Sequence, residues 1–293
     1  MLSHRSRAMA FHAFAAEYSF YSPDDRFLAV APLAHGAGLA FAMTSISVGG
    51  TCEILERFDA ELLLRKLANG LTTGVFLVPT HFHSMFELES AVLEAHRSHR
   101  LRGILSNAAP LSQSTKEQIV DYFGSGLLHE TYGSTEAGVV TNLRPDDQLS
   151  KQRCAGLPFQ NTQVVLLDKD RNEVAPGEIG ELFSRSPYLF NGYWKRHEET
   201  NETLYDGWFS AGDLATKDEE GYLYIVGRKK DMVISGGMNV YPREIEEVLN
   251  SHPSIGESAV VGVPHQKWGE SLAAYFTVRR SEEHTSELQS LAY

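Results

Sequence analysis

Residues 132–138 read YGSTEAG and set two glycines, an aromatic ring, two hydroxyls and a carboxylate side by side. Glycine lets a backbone come close to a ligand. Hydroxyls and a carboxylate are the groups that hold phosphate oxygens and a hard divalent ion. The stretch has the chemistry of a nucleotide site, although a plain turn between strand and helix would use the same residues. Two more stretches raise the same question. GWFSAGD (207–213) ends on the carboxylate Asp213; taken alone it reads equally as a hairpin with an exposed Asp213. GRKKDMVISGGMNVYPREIE (227–246) joins a basic turn, a glycine pair and a helix start. Two shorter segments, PLAHG with His35 and SNAAP with Asn107, also end apolar runs.

Elements must hold these groups in place. FLAVAPL (27–33), TCEIL (51–55), GVFLVP (74–79), GILS (103–106) and LLHETYG (127–133) read as short strands, the last passing into a loop. Helical stretches separate them at 37–50, 59–70, the eighties and nineties, and 114–124; another precedes them at 8–20. Strands alternating with helices predict a parallel α/β sheet. Ligands in such sheets bind beyond the carboxyl ends of the strands, where PLAHG, SNAAP and YGSTE all fall. Near residue 155 the pattern changes to strand-like runs broken by Asp, Asn, Pro and Gly turns, which reads as a small β-barrel-like subdomain. After Gly227 it changes again. PREIEEVLN (242–250) reads as an amphipathic helix with Pro242 at its first position, and SAVVGVP (258–264) as a buried strand. The expected domains are 1–152, 153–229 and 230–279.

Composition narrows the function classes. The 42% hydrophobic and 22% charged content is that of a globular protein. The formal charge of −12 argues against nucleic acid as a partner. No apolar run approaches the ~18 residues of a membrane span. Two cysteines far apart, Cys52 and Cys154, suit a reducing, cytoplasmic setting. The close histidine pairs His81/His83 and His96/His99 lack the partners of a zinc site.

The three longer motifs, in this order and at these spacings, resemble the signature blocks of the adenylate-forming superfamily, which includes acyl- and aryl-CoA synthetases. The likeness covers roughly residues 1–279. It implies an ATP-dependent acyl-CoA synthetase for fatty or aryl acids, with ATP/AMP, Mg²⁺ and coenzyme A as its cofactors and a small carboxylic acid as substrate. An adenylation domain of a peptide synthetase and a catalytically inactive nucleotide-binding fragment are the alternatives. By resemblance, Tyr132 stacks on adenine beside Gly133, and Asn107, Ala108, Ala109 and Pro110 form the adenine loop, where the family often has Gly-Gly-Ala-Pro. Thr135 contacts the phosphates and Glu136 binds Mg²⁺. Asp213 accepts from the ribose hydroxyls, and Arg228 reaches the ribose-phosphate end. His35 lies beside the carboxylate to be activated. Lys230 is the hinge of a mobile lid. Gly236 and Gly237 line the path of the pantetheine thiol; a basic patch of Arg228, Lys229 and Lys230 for CoA phosphates is the weaker option.

The resemblance also implies an incomplete fold: α/β layers, a β subdomain and a truncated α+β lid. The family's Ser/Thr/Gly-rich phosphate loop precedes a stretch like MLSHR, with which this sequence starts, and its distal lysine follows the last matching segment. RSEEHTSELQS (280–290) resembles translated sequencing adapter, so 280–293 is expected to be a non-native tail, Arg279 to be about the last native residue, and the chain alone to be inactive.

Overall fold

The computed structural model describes residues 1–278; the expected tail and Arg279 lie outside the described residues. The chain forms two compact units. Among the described residues, unit 1 comprises 1–165, 183–211 and 217–224; unit 2 comprises 166–182, 212–216 and 225–278.

Unit 1 is built on a seven-stranded sheet. Its strands are β1 (Arg26–Ala29), β2 (Thr51–Ile54), β3 (Gly74–Leu77), β4 (Gly103–Ser106), β5 (Leu128–Ser134), β6 (Gly138–Leu143) and β7 (Leu157–Pro158), in spatial order 2-1-3-4-5-6-7. The first five strands pair in parallel. β6 and β7 extend the sheet antiparallel, which the alternation of strands and helices did not predict. Six helices accompany the sheet: α1 (His4–Glu17), α2 (Gly36–Ser47), α3 (Ala60–Ala68), α4 (Pro79–Phe86), α5 (Ser90–Ala95) and α6 (Gln113–Phe123). α1 begins four residues before the expected 8–20 because Ser3 caps it, accepting from the Ser6 amide at 3.0 Å. Asp59 caps α3 in the same way, accepting from Leu62 N at 2.7 Å.

Successive strand residues serve opposite faces of the sheet. Leu28, Val75, Leu77, Ile104 and Leu128 pack with Leu63 and Leu67 of α3, Phe82 of α4 and Ile119 of α6. Phe27, Ala29, Phe76 and Leu105 pack with Ala10 and Phe14 of α1 and Phe41 of α2. Both faces are thus buried, as a parallel sheet requires. Phe20, fully buried, lies across the strand starts Gly74 and Gly103, which are register partners; a Cβ on either would stand 2.2 Å from its ring.

The later part of unit 1 holds α7 (His197–Thr203) and a hairpin; unit 2 is mostly strand. β8 (Gln163–Leu167) and β9 (Gly180–Arg185) precede α7. β10 (Leu204–Tyr205) and β11 (Trp208–Phe209) form the hairpin, with Asp206 and Gly207 both at positive φ in the turn, the geometry that favours Asp-Gly. In unit 2, β12 (Asp213–Lys217) pairs antiparallel with the start of β9 through Leu214↔Glu181 and Ala215↔Gly180. β13 (Leu223–Arg228) leads to a four-stranded sheet of β14 (Val233–Ser235), β15 (Met238–Val240), β16 (Ile255–His265) and β17 (Gly269–Val278), in order 15-14-17-16, with α8 (Pro242–Asn250) between β15 and β16. Among the described residues no helix is long and apolar enough to cross a membrane.

Candidate functional site

Three segments at the carboxyl ends of unit 1 strands carry the motif residues. After β4, Asn107 turns its amide back on the next strand: Nδ2 donates to Thr131 O at 2.9 Å and to Thr131 Oγ1 at 2.7 Å. Its Oδ1 accepts from the Ala108 amide. Ala108 has φ +79, a conformation that glycine adopts at no cost and alanine does not. Ala108, Ala109 and Pro110 are exposed. Tyr132 follows Thr131 on β5 and is half-buried opposite Thr141. The 107–110 loop is thereby fastened to Thr131, next to Tyr132 on the same strand.

β5 does not pass into a loop at Tyr132 as expected. It continues through Gly133 and Ser134, which pair with Val139 and Gly138 of β6. Gly133 is needed there for the hairpin itself, since a Cβ on it would fall 2.0 Å from the Gly138 carbonyl. The turn at 135–137 therefore joins two antiparallel strands, and Ser134 Oγ closes it by accepting from Ala137 N at 3.1 Å.

His35 and Gly36 approach this turn from the third segment. His35 stands at the N-cap of α2, exposed and without a side-chain capping bond, so it is not a core histidine. A Cβ on Gly36 would stand 2.9 Å from Thr135 Oγ1, so the PLAHG loop packs directly on Thr135. Glu136 is half-buried, and its Oε1 accepts from the Tyr193 hydroxyl at 2.9 Å. Burial, and after it the Glu136 hydrogen bond and charge, push the Tyr193 hydroxyl up to about 12, so Tyr193 remains a donor. Sequence reading missed Tyr193; its one signal is an aromatic behind a glycine in NGYW (191–194). Thr135 and Glu136 offer hard oxygen donors, and a single carboxylate completed by phosphate oxygens is the usual protein share of a Mg²⁺ site. Among the described residues no group of three or more His, Cys, Asp or Glu could hold a metal without such help.

Unit 2 holds the remaining motif residues. Asp213 opens β12 and is buried rather than exposed, at 7% accessibility. Arg228 Nε lies 3.3 Å from Asp213 Oδ1. Lys229 donates its amide to Gly212 O at 2.8 Å and pairs with Glu181 at 2.9 Å. The GWFSAGD and GRKKD motifs are thus joined at Gly212–Asp213 and Arg228–Lys229. Lys230 is exposed within a short 3-10 turn, Lys229–Asp231. Gly236 and Gly237, at φ +58 and +82, form the two-residue turn between β14 and β15. Hairpin geometry alone demands glycine-like residues there.

The model of the AMP-binding enzyme family matches residues 1–194, and that of the AMP-binding enzyme C-terminal domain matches 244–292, a span that runs into the segment expected to be a tail. A medium/long-chain-fatty-acid–CoA ligase, FadD8, of Mycobacterium tuberculosis is 34% identical over 90% of this chain and 48% of its own length. A 2-succinylbenzoate–CoA ligase of Bacillus cereus is 36% identical over 90% of this chain and 53% of its own. The solved structure of Bacillus subtilis O-succinylbenzoate coenzyme A synthetase, in complex with ATP and magnesium ion, superposes with a TM-score of 0.84 at 27% identity, covering 96% of this chain and 57% of that one. The chain spans about half the length of the curated relatives it matches.

Proposed function

The chain belongs to the AMP-binding enzyme family, and from that premise we propose that the whole protein is an ATP-dependent acyl-CoA synthetase acting on fatty or aryl acids. A substrate carboxylate oxygen attacks the α-phosphorus of ATP, the bond to the β-phosphate breaks, and pyrophosphate leaves. The sulfur of coenzyme A then attacks the acyl carbon and AMP leaves. The observation that carries this reading is the fastening of the Asn107–Pro110 loop to Thr131, next to Tyr132. It supports a slot for a planar base between loop and ring.

In this proposal Tyr132, Gly133 and residues 107–110 take adenine, Thr135 contacts the phosphates, and His35 faces the carboxylate to be activated. Mg²⁺ on Glu136 supplies charge to offset the phosphates. The ribose roles of Asp213 and Arg228, the hinge role of Lys230 and the thiol path at Gly236 and Gly237 belong to the same proposal and rest on the sequence motifs. A cytoplasmic setting is part of it too, supported by two cysteines, Cys52 and Cys154, that are both free thiols.

The test is product analysis on the whole protein, with Mg²⁺, ATP, coenzyme A and a panel of fatty and aryl acids. AMP, pyrophosphate and an acyl thioester are expected. ADP and phosphate as products would overturn the assignment.

A further inference from the structure

The motif reading leaves one buried ionic pair without a role. Lys116 lies on the face of α6 that also carries Ile119 and Phe123, where an apolar residue is expected, and its side chain is 2% exposed. Its Nζ stands 2.5 Å from Glu130 Oε2, and the Glu130 side chain is 10% exposed. Burying both charges is costly, and a well-packed apolar pair of similar volume is commonly as stable. What an apolar pair cannot do is accept a hydrogen bond. Glu130 Oε1 accepts from the Leu111 amide at 2.9 Å.

Leu111 ends the loop that Asn107 begins. The loop's start is tied to Thr131 and its end to Glu130, consecutive residues of the strand that bears Tyr132. Between the ties Ala108 is held at φ +79, a conformation that persists only when its surroundings fix it. Ser112, next after Leu111, caps α6 by accepting from Thr115 N at 3.1 Å, so the loop's end and the start of the lysine's helix are one continuous piece.

We propose that Glu130, held by Lys116, is a positioning residue that clamps the end of the 107–111 loop against β5 and so fixes the purine slot beside Tyr132. The clamp rests on the base-binding reading given under Proposed function. Lys116 aims the carboxylate; Glu130 carries the contact with the loop.

Two double variants of this chain separate the clamp from plain packing. Lys116→Met/Glu130→Gln removes both charges and keeps an oxygen for the Leu111 amide. Lys116→Met/Glu130→Met removes the oxygen as well. Circular dichroism and thermal melting establish that both fold. Hydrogen exchange at the Leu111 amide reads the clamp without any nucleotide, and calorimetric titration with AMP reads the slot, with pyrophosphate as a base-free probe. In Lys116→Met/Glu130→Met, Leu111 exchange should speed at least tenfold and AMP affinity fall about tenfold, with the response to pyrophosphate unchanged. Lys116→Met/Glu130→Gln should stay close to wild type in both. Leu111 exchange at the wild-type rate in the folded Lys116→Met/Glu130→Met variant would overturn the clamp. Faster exchange with undiminished AMP affinity would overturn its role in the slot. Failure of the wild-type chain to bind AMP would overturn the base-binding reading, and the proposal with it, whatever Leu111 does.

Discussion

At Glu136 a hydrogen bond, and at His129 burial, constrain what the side chain can do. Tyr193 holds one oxygen of the Glu136 carboxylate at 2.9 Å. Partners that orient a metal-binding side chain are typically worth 10–100-fold in metal affinity. On the proposed reading of Glu136 as the Mg²⁺ ligand, Tyr193→Phe in the whole protein should therefore weaken Mg²⁺-dependent ATP binding by about tenfold or more and leave binding in EDTA unchanged. Calorimetric titration in the two buffers checks it, and equal loss in both would remove Glu136 from the metal role. His129 has a separate, structural effect. It lies buried on β5 beside Asn142, and burial first of all, opposed by Glu17 and by the Asn142 hydrogen bond, lowers it from 6.5 to about 4. The folded protein keeps it neutral while the unfolded chain protonates it below 6.5. Its contribution is thus complete above pH 6.5, drains as the pH falls towards 4, and is constant below. At 1.36 kcal/mol per unit this amounts to about 3 kcal/mol. Urea unfolding at pH 7 and pH 4.5 should show a loss about 2–3 kcal/mol larger in wild type than in His129→Gln.

At the scale of elements, glycines that look like ligand or hinge residues often serve the backbone. Gly133 makes room for the β6 carbonyl, and Gly236 and Gly237 make a hairpin turn. Gly74 and Gly103 make room for Phe20, which seals the starts of β3 and β4. The φ of Gly74 is not left-handed, so any cost of a side chain there comes from packing. Gly74→Ala should destabilise the fold by about 1–3 kcal/mol, the usual cost of overfilling a core. Adding Phe20→Leu to Gly74→Ala should cost less than the two single changes summed, because the second relieves the first. Chemical unfolding of the two single variants and the double variant tests this; strict additivity would mean that Phe20 is not the obstacle. The same scale explains the elements misjudged from sequence. Gly133 and Ser134 are turn-type residues, yet they are strand because β6 lies opposite them. α1 starts at His4, ahead of the expected helix, because Ser3 supplies a cap.

For the whole molecule, the parallel pairing of the first five strands follows from short apolar runs alternating with helical periods, which local sequence encodes directly, whereas their spatial order does not. The placing of PLAHG, SNAAP and YGSTE at strand ends follows too, since each motif adjoins an apolar run. Turn chemistry is local as well, although the turns themselves were not read from sequence: Asp206-Gly207 and Gly236-Gly237 lie where two positive φ angles are required. Other features depend on residues far apart in the chain. Tyr193 reaches Glu136 across 57 positions, Lys116 finds Glu130 from a different element, and Phe20 selects two glycines on neighbouring strands. Periodicity, caps and turns are set within a few residues and so are written locally. Which hydroxyl orients the carboxylate, which lysine is buried and which glycine has an obstacle above it are settled by close packing between elements, and only the tertiary structure decides them.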